Sequence, residues 1–151
     1  PIACASAVCY NHEFAFFGQY IVVPQYRGRG YGMALTDSCF TAIGDRNCKL
    51  DSVIENQSVY EKVGFETDFI THRYKIMWKQ RTINTAFKHL VPLNEIPLKI
   101  LESYDQGFFP APRIEFLNAW VSQPDHVGVA YVKEKMVLGY GVIRPCLEGL
   151  K

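Results

Sequence analysis

From Ile2 to Tyr10 small and apolar residues alternate, the two-residue period of a strand with one face on a core. Asn11-His12 marks a tight turn and Glu13 to Val23 continues as a longer strand, so the two predict an antiparallel hairpin. Gly18 interrupts the second strand and predicts a bulge or a close backbone approach. Pro24 has no N–H to donate and ends the ladder. The period then changes. Tyr31 to about Ile43 sets Met33, Ala34, Leu35, Cys39, Phe40 and Ile43 around much of a helix, which predicts a mostly buried element closed by Gly44. Asn47 to Ile54 predicts a central strand, Gln57 to Val63 a short helix stopped at Gly64, and Glu66 to Trp78 one or two strands. The expected order is β-β-α-β-α-β(β), mixed in direction.

Lys79 to Arg81 is polar, and a linker is expected there. Ile83 to Pro92 can then form a strand, and Asn94 to Tyr104 a helix with Asn94 as N-cap and Pro97 tolerated in the first turn. Phe108-Phe109-Pro110-Ala111-Pro112 is a rigid apolar connection into a second helix, Arg113 to Val121. Val127 to Val132 and Met136 to Arg144 predict a hairpin across Lys133-Glu134-Lys135. The pattern as a whole is α/β, with a mixed and mostly antiparallel sheet flanked by helices.

Composition narrows this picture only in places. Of 151 residues 48% are hydrophobic, enough for a packed core. A net charge of +1 argues against a general nucleic-acid binder. Cys4, Cys9, Cys39, Cys48 and Cys146 lack C-x-x-C spacing, so neither a metal site nor a disulfide framework is expected, and a cytoplasmic, reducing setting is. No apolar run is long enough to span a bilayer. The chain starts at Pro1 inside a strand-like pattern and reads as a fragment.

The candidate chemistry begins where the first hairpin meets the first long helix. Val22 to Leu35 reads Val-Val-Pro-Gln-Tyr-Arg-Gly-Arg-Gly-Tyr-Gly-Met-Ala-Leu, with Gly28, Gly30 and Gly32 on alternate positions and Arg27 and Arg29 between and before them. A strand, a glycine turn and a helix start make an anion cradle, because first-turn amides lack intrahelical acceptors and the helix dipole is positive there. The spacing is neither Gly-x-Gly-x-x-Gly nor a P-loop. Arg-x-x-Gly-x-Gly after a strand resembles the pyrophosphate motif of the GNAT (GCN-five-related N-acetyltransferase) superfamily. Asn56-Gln57-Ser58-Val59-Tyr60-Glu61-Lys62-Val63-Gly64-Phe65 resembles that family's second signature, a short helix carrying a tyrosine and closed by Gly-Phe.

The likeness covers Ile2 to about Trp78, the later half of a GNAT domain. Beyond it, the β-α-α-β-β order matches the opening half of one. Phe-Pro-Ala-Pro-Arg and Gly-Tyr-Gly-Val-Ile-Arg-Pro resemble the second, GNAT-like domain of tandem members. The expected division is therefore 1–79 and 80–151, either a slice across two tandem domains or one permuted unit, with the slice favoured.

The resemblance implies an acetyl-CoA-dependent N-acetyltransferase, with acetyl-CoA as cosubstrate, no metal, and a small-molecule or peptide amine as acceptor. A non-catalytic acyl-CoA-binding or scaffolding module is the alternative, and a homodimer is compatible with either. Backbone groups of Ile21, Val22 and Val23 would pair with the pantetheine arm, and Arg27, Gly28, Arg29, Gly30, Tyr31 and Gly32 would take the pyrophosphate. Tyr60 is the implied catalytic residue, a hydrogen-bond donor or acid toward the leaving sulfur. Its reference pKa of about 10 lies above a thiol's at about 8.5, so the hydrogen bond matters more than full proton transfer. Asn56 either orients the cofactor or caps the helix, with capping preferred. Glu13, Asp51, Glu55 and His72 are the candidate bases for the amine. Trp120, Phe108 and Phe109 read as core or interface anchors, and Arg113 and Arg144 as surface salt-bridge formers.

Overall fold

The computed structural model describes residues 1–72, 74 and 88–146. They fall in two compact units, one of 1–7, 16–44, 48–72 and 74, the other of 8–15, 45–47 and 88–146. The proposed linker, Lys79 to Arg81, lies outside the described residues.

The first hairpin forms as expected, β1 Ala3–Cys9 and β2 Phe14–Val22. At its closed end Tyr10 N–H donates to Phe14 O, and at its open end Val23 N–H donates to Ile2 O. Between those two bonds β2 carries one residue more than β1, which is a bulge. It sits at Gln19, whose φ of +52° is unusual for a residue with a Cβ. The adjoining carbonyls are not wasted: Ser6 Oγ donates to Gly18 O at 3.0 Å and Cys4 Sγ to Gln19 O at 3.4 Å.

After a 3-10 turn, Pro24–Tyr26, the chain enters helix α1, Tyr31–Ile43, which Gly44 ends. The burial expected of α1 is wrong. Only Ile43 is fully buried, while Met33 is 63% exposed and Tyr31 41%. Phe40 touches Phe17 and Phe65, Leu35 and Cys39 are half-buried, and Met33 and Ala34 are exposed.

Strand β3 is also shorter than its apolar run suggests. It covers only Asn47–Lys49, and the sheet order is β1-β2-β3. Leu50 to Val53 leaves the ladder, and Ile54–Asn56 turns as 3-10 into helix α2, Gln57–Glu61. Glu66 to His72 makes no strand, contrary to expectation, and the later part of that predicted run lies outside the described residues.

In the second unit β4 Leu90–Pro92, β5 Val127–Lys133 and β6 Met136–Ile143 form an antiparallel sheet in the order β4-β5-β6. The β5–β6 turn has Glu134 and Lys135 both at positive φ, 51° and 65°, the twist that a two-residue hairpin needs. Helix α3 is Leu98–Asp105, beginning after Pro97 rather than at Asn94. Leu93–Glu95 is a separate 3-10 turn, because a proline fixes extended geometry in the residue before it. Helix α4 is Ile114–Val121. Leu93, Leu101, Leu117, Ala130 and Val137 form the core, each large side chain contributing about 1.5–3 kcal/mol by burial.

A buried polar cluster stands beside that core. Asp105 is 3% exposed and accepts a forked pair from Arg113, Nε to Oδ2 at 2.6 Å and Nη2 to Oδ1 at 2.7 Å. Tyr140 Oη donates to the same Oδ1 at 2.7 Å. The Arg113 guanidinium lies 4.0 Å from the Phe109 ring centroid and 5.0 Å from that of Phe116, and Phe109 also meets Tyr10 and Phe14 edge-on. Arg113 is thus a partly buried partner of a buried acid, not the surface salt bridge expected of it. Burial pushes the Asp105 carboxyl up, but the Arg113 and Tyr140 hydrogen bonds and the Arg113 charge outweigh it and hold it below its ordinary value. The Tyr140 phenol is pushed up to about 12 by burial and by the Asp105 carboxylate.

Candidate active site

The early end of β3 opens a cleft within the first unit. Beyond Lys49 no strand among the described residues lies beside the outer edge of β2, and Leu50 to Val53 line the opposite wall. The cavity is about 170 Å³ and is lined by Phe17, Gly18, Gln19, Tyr20, Leu50, Asp51, Ser52, Val53, Asn56 and Tyr60. A sheet edge with unpaired backbone groups is a ready partner for an extended, amide-bearing chain.

Tyr60, on α2, is half-buried and packs edge-on against Phe65 at 6.0 Å. Burial, and behind it the neighbouring Tyr20, raise its pKa, so the phenol keeps its proton and remains a donor at neutral pH. Asn56 precedes α2 but makes no side-chain cap hydrogen bond; the preferred capping role is not observed, and its side chain belongs to the cleft lining instead.

The backbone of Ile21 to Val23 is unevenly available. Val23 N–H is already bonded to Ile2, so by strand alternation Val22 presents its groups to the opposite edge. There Val22 O accepts Arg27 Nε at 3.0 Å, which ties the arginine of the glycine turn to the strand end. Arg27 N–H itself closes the 3-10 turn onto Pro24 O at 3.2 Å.

In the turn, Gly28 and Gly30 have φ of 72° and 84°, and the space where a Cβ would stand is open at both. Gly30 is the residue immediately before α1, and its carbonyl accepts Ala34 N–H at 3.0 Å. The amides of Tyr31, Gly32 and Met33 lie in the first helical turn, where no intrahelical acceptor exists. Arg29 lies 5.5 Å over the Tyr26 ring, and Tyr26 meets Tyr31 edge-on. This is an open backbone cradle with two cations at its rim. Gly32 differs from the other two glycines: the Tyr20 hydroxyl occupies the place of its missing Cβ. Tyr20 also meets the Phe17 ring at 5.8 Å and lines the cleft. Sequence reasoning missed Tyr20; the signal was a glycine early in a helix, which asks what fills its side-chain space.

Of the four candidate bases only Asp51 lines the cleft. Glu13 lies just before β2 in the second unit, Glu55 sits in the 3-10 turn before α2, and His72 lies near the Tyr74 ring. Trp120 is half-buried, stacked on Phe116 and edge-on to His126, with Arg144 at 5.3 Å over its ring. Arg144 makes no ion pair among the described residues, so its expected salt bridge is replaced by this contact. Phe108 is 75% exposed, and Phe109 is the anchor of the pair. Among the described residues no group of three or more His, Cys, Asp or Glu side chains could hold a metal ion, and no helix is long and apolar enough to cross a membrane.

Known proteins resemble this chain in both parts. Models of the GNAT acetyltransferase domain match residues 1–67 and 101–151. A holothin acyltransferase from Pseudoalteromonas sp. (strain SANK 73390) is 29% identical over 151 residues, 100% of this chain and 51% of that relative. A solved structure from Pyrococcus horikoshii, assigned as an acetyltransferase, shares the fold with a TM-score of 0.68 at 22% identity, over 97% of this chain and 52% of its own. A GNAT-family structure from Xanthomonas campestris pv. campestris is 29% identical over 49% of this chain and 56% of its own, with a TM-score of 0.39. The chain spans about half the length of the relatives it matches.

Proposed function

Because this chain belongs to the GNAT acetyltransferase superfamily, we propose that it carries the acetyl-CoA site of an N-acetyltransferase, transferring the acyl group to an amine. One observation carries the reading. The glycine cradle, the edge of β2 that no described strand covers beyond Lys49, and Tyr60 all lie in one unit, with the edge and Tyr60 lining a single cleft. The thioester of acetyl-CoA, as cosubstrate, supplies an activated acyl carbon.

The fit rests on what the residues leave open. Gly28 and Gly30 leave Cβ space empty, so a diphosphate can reach the first-turn amides of α1, with Arg27 and Arg29 adding charge. The β2 edge at Tyr20 and the Val22 N–H can take amide pairing, the Val22 carbonyl already accepting Arg27 Nε. Tyr60 holds its proton and donates a hydrogen bond to charge developing on the sulfur. The division into the later half of one GNAT domain and the opening half of a second, in the tandem manner, is part of the same proposal. So are the cytoplasmic setting and the amine as acceptor.

The test is acetyl-CoA binding by calorimetry together with thiol release over an amine panel. Arg27→Ala should weaken binding by about 1.5–3 kcal/mol, the value of a charged hydrogen bond. Tyr60→Phe should leave binding intact and slow turnover. Tight binding with no turnover on any amine would favour a non-catalytic acyl-CoA-binding module instead.

A further inference from the structure

Packing alone does not account for where Tyr20 stands. Its ring meets buried Phe17 at 5.8 Å, and Phe17 is stacked in turn on Phe40 of α1. Its hydroxyl fills the site of the Cβ that Gly32 lacks, with Cζ 3.0 Å from that site and Val22 Cγ2 3.4 Å from it. An alanine at position 32 would therefore collide with the phenol. Glycine is a poor helix former, so this notch weakens α1. Yet the core gains little from it, because Tyr20 stays 41% exposed. The exposed part lines the cleft, with Tyr60 as its neighbour there and Leu50 to Val53 opposite.

We infer that Tyr20, held against α1 by the Gly32 notch, is the wall that sets donor specificity in this cleft, admitting thioesters of short acyl groups and excluding long ones. This rests on the acetyltransferase reading above. The acyl carbon is bonded to the sulfur that Tyr60 meets, so a bound donor carries its acyl group into the cavity that Tyr20 borders. That cavity is about 170 Å³. An engineered protein cavity of about 150 Å³ holds one benzene. A two- or three-carbon acyl group fits such a space beside the thioester, whereas a hexanoyl chain has to displace a wall. On the sheet side neither aromatic can retreat. Phe17 is 2% exposed and backed by Phe40, and Tyr20 can move only toward α1, where its hydroxyl already fills the notch.

The test is calorimetric binding of acetyl-CoA and hexanoyl-CoA, with ADP as a control that carries the diphosphate without pantetheine or acyl group. Wild type should bind acetyl-CoA about tenfold more tightly than hexanoyl-CoA, the cost of overpacking a filled site. Tyr20→Ala should close that gap to within about threefold by admitting the longer chain. Tyr20→Phe keeps the ring and should keep the gap. Gly32→Ala acts in the opposite direction. Its new Cβ drives the phenol into the cleft, so acetyl-CoA should weaken about fivefold while ADP binding stays unchanged. Adding Tyr20→Phe to Gly32→Ala removes the colliding hydroxyl and should restore most of the acetyl-CoA affinity. A wild type that binds both thioesters equally would overturn the inference and leave the acetyltransferase reading standing. So would a Tyr20→Ala protein that binds ADP normally and keeps the full gap. Should Tyr20→Ala fail to fold, the Gly32→Ala arm decides: unchanged acetyl-CoA binding, or a loss that Tyr20→Phe does not restore, overturns the inference. Failure of the wild type to bind either thioester would overturn both readings.

Discussion

In the second unit both oxygens of Asp105 are occupied, by two guanidinium nitrogens and a phenol, and the aromatic faces of Phe109 and Phe116 close over the guanidinium. In the first unit, among the described residues, Asp51 has no partner, no strand lies beside the edge of β2 beyond Lys49, and the first-turn amides of α1 have no intrahelical acceptor. Both regions are rich in polar atoms. What separates them is whether the chain itself satisfies those atoms. Where it does, polarity holds a fold together; where it does not, the vacancies are available to a ligand. A buried, fully paired cluster and an open, unpaired one therefore call for opposite responses to the same mutation.

The sharpest way to break the contrast is to remove each acid in turn. Asp105→Ala leaves a guanidinium uncompensated in the interior and should destabilise the protein by about 3–5 kcal/mol in urea unfolding. Asp51→Ala should stay within about 0.5 kcal/mol. Equal losses would erase the distinction. Next comes the pair of phenols. Tyr60→Phe should cost on the order of 10²-fold in kcat with binding unchanged. Tyr140→Phe should instead cost about 1–3 kcal/mol of stability, because a buried acceptor loses its donor, with little effect on turnover.

The pH dependence of stability should sharpen the comparison further. Asp105 is lowered on folding, so its contribution is complete above its unfolded value and is lost as pH falls through the lower folded value. Tyr140 is raised to about 12, so its contribution holds below about 10 and disappears as pH climbs from there through about 12. Thermal melts should show an acid limb that Asp105→Asn reduces and an alkaline limb that Tyr140→Phe reduces. Tyr60→Phe should leave the acid limb in place and trim only part of the alkaline one, since burial raises its phenol as well. The smallest effect belongs to the β5–β6 turn: Glu134→Asn with Lys135→Gly should add about 1 kcal/mol, because both positions have positive φ.

The sequence was most readable where geometry restricts residue choice. Gly28 and Gly30 could be placed in the turn because positive φ selects glycine, and Gly44 ended α1 for the same reason. The two hairpins followed from alternation and turn residues. It was least readable where contacts are distant. Asn47 to Ile54 reads as a central strand, yet only Asn47–Lys49 pairs, since ladder partners are chosen across the sheet and not along the chain. Asp105 finds Arg113 eight residues on and Tyr140 thirty-five on, with no local pattern to join the three. The exposure of Met33 and Tyr31 on α1 had the same origin, because a helix's apolar girth says nothing of which neighbours come to cover it.

The extra residue at Gln19 has one further consequence. Along an even strand, positions three apart look to opposite sides, yet Phe17 and Tyr20 meet ring to ring. Gln19 resets the parity, so an aromatic that would otherwise point away is delivered beneath Gly32 and beside Tyr60. Deleting that single residue would reverse the facing of everything from Tyr20 to Val23 without changing the composition of the strand.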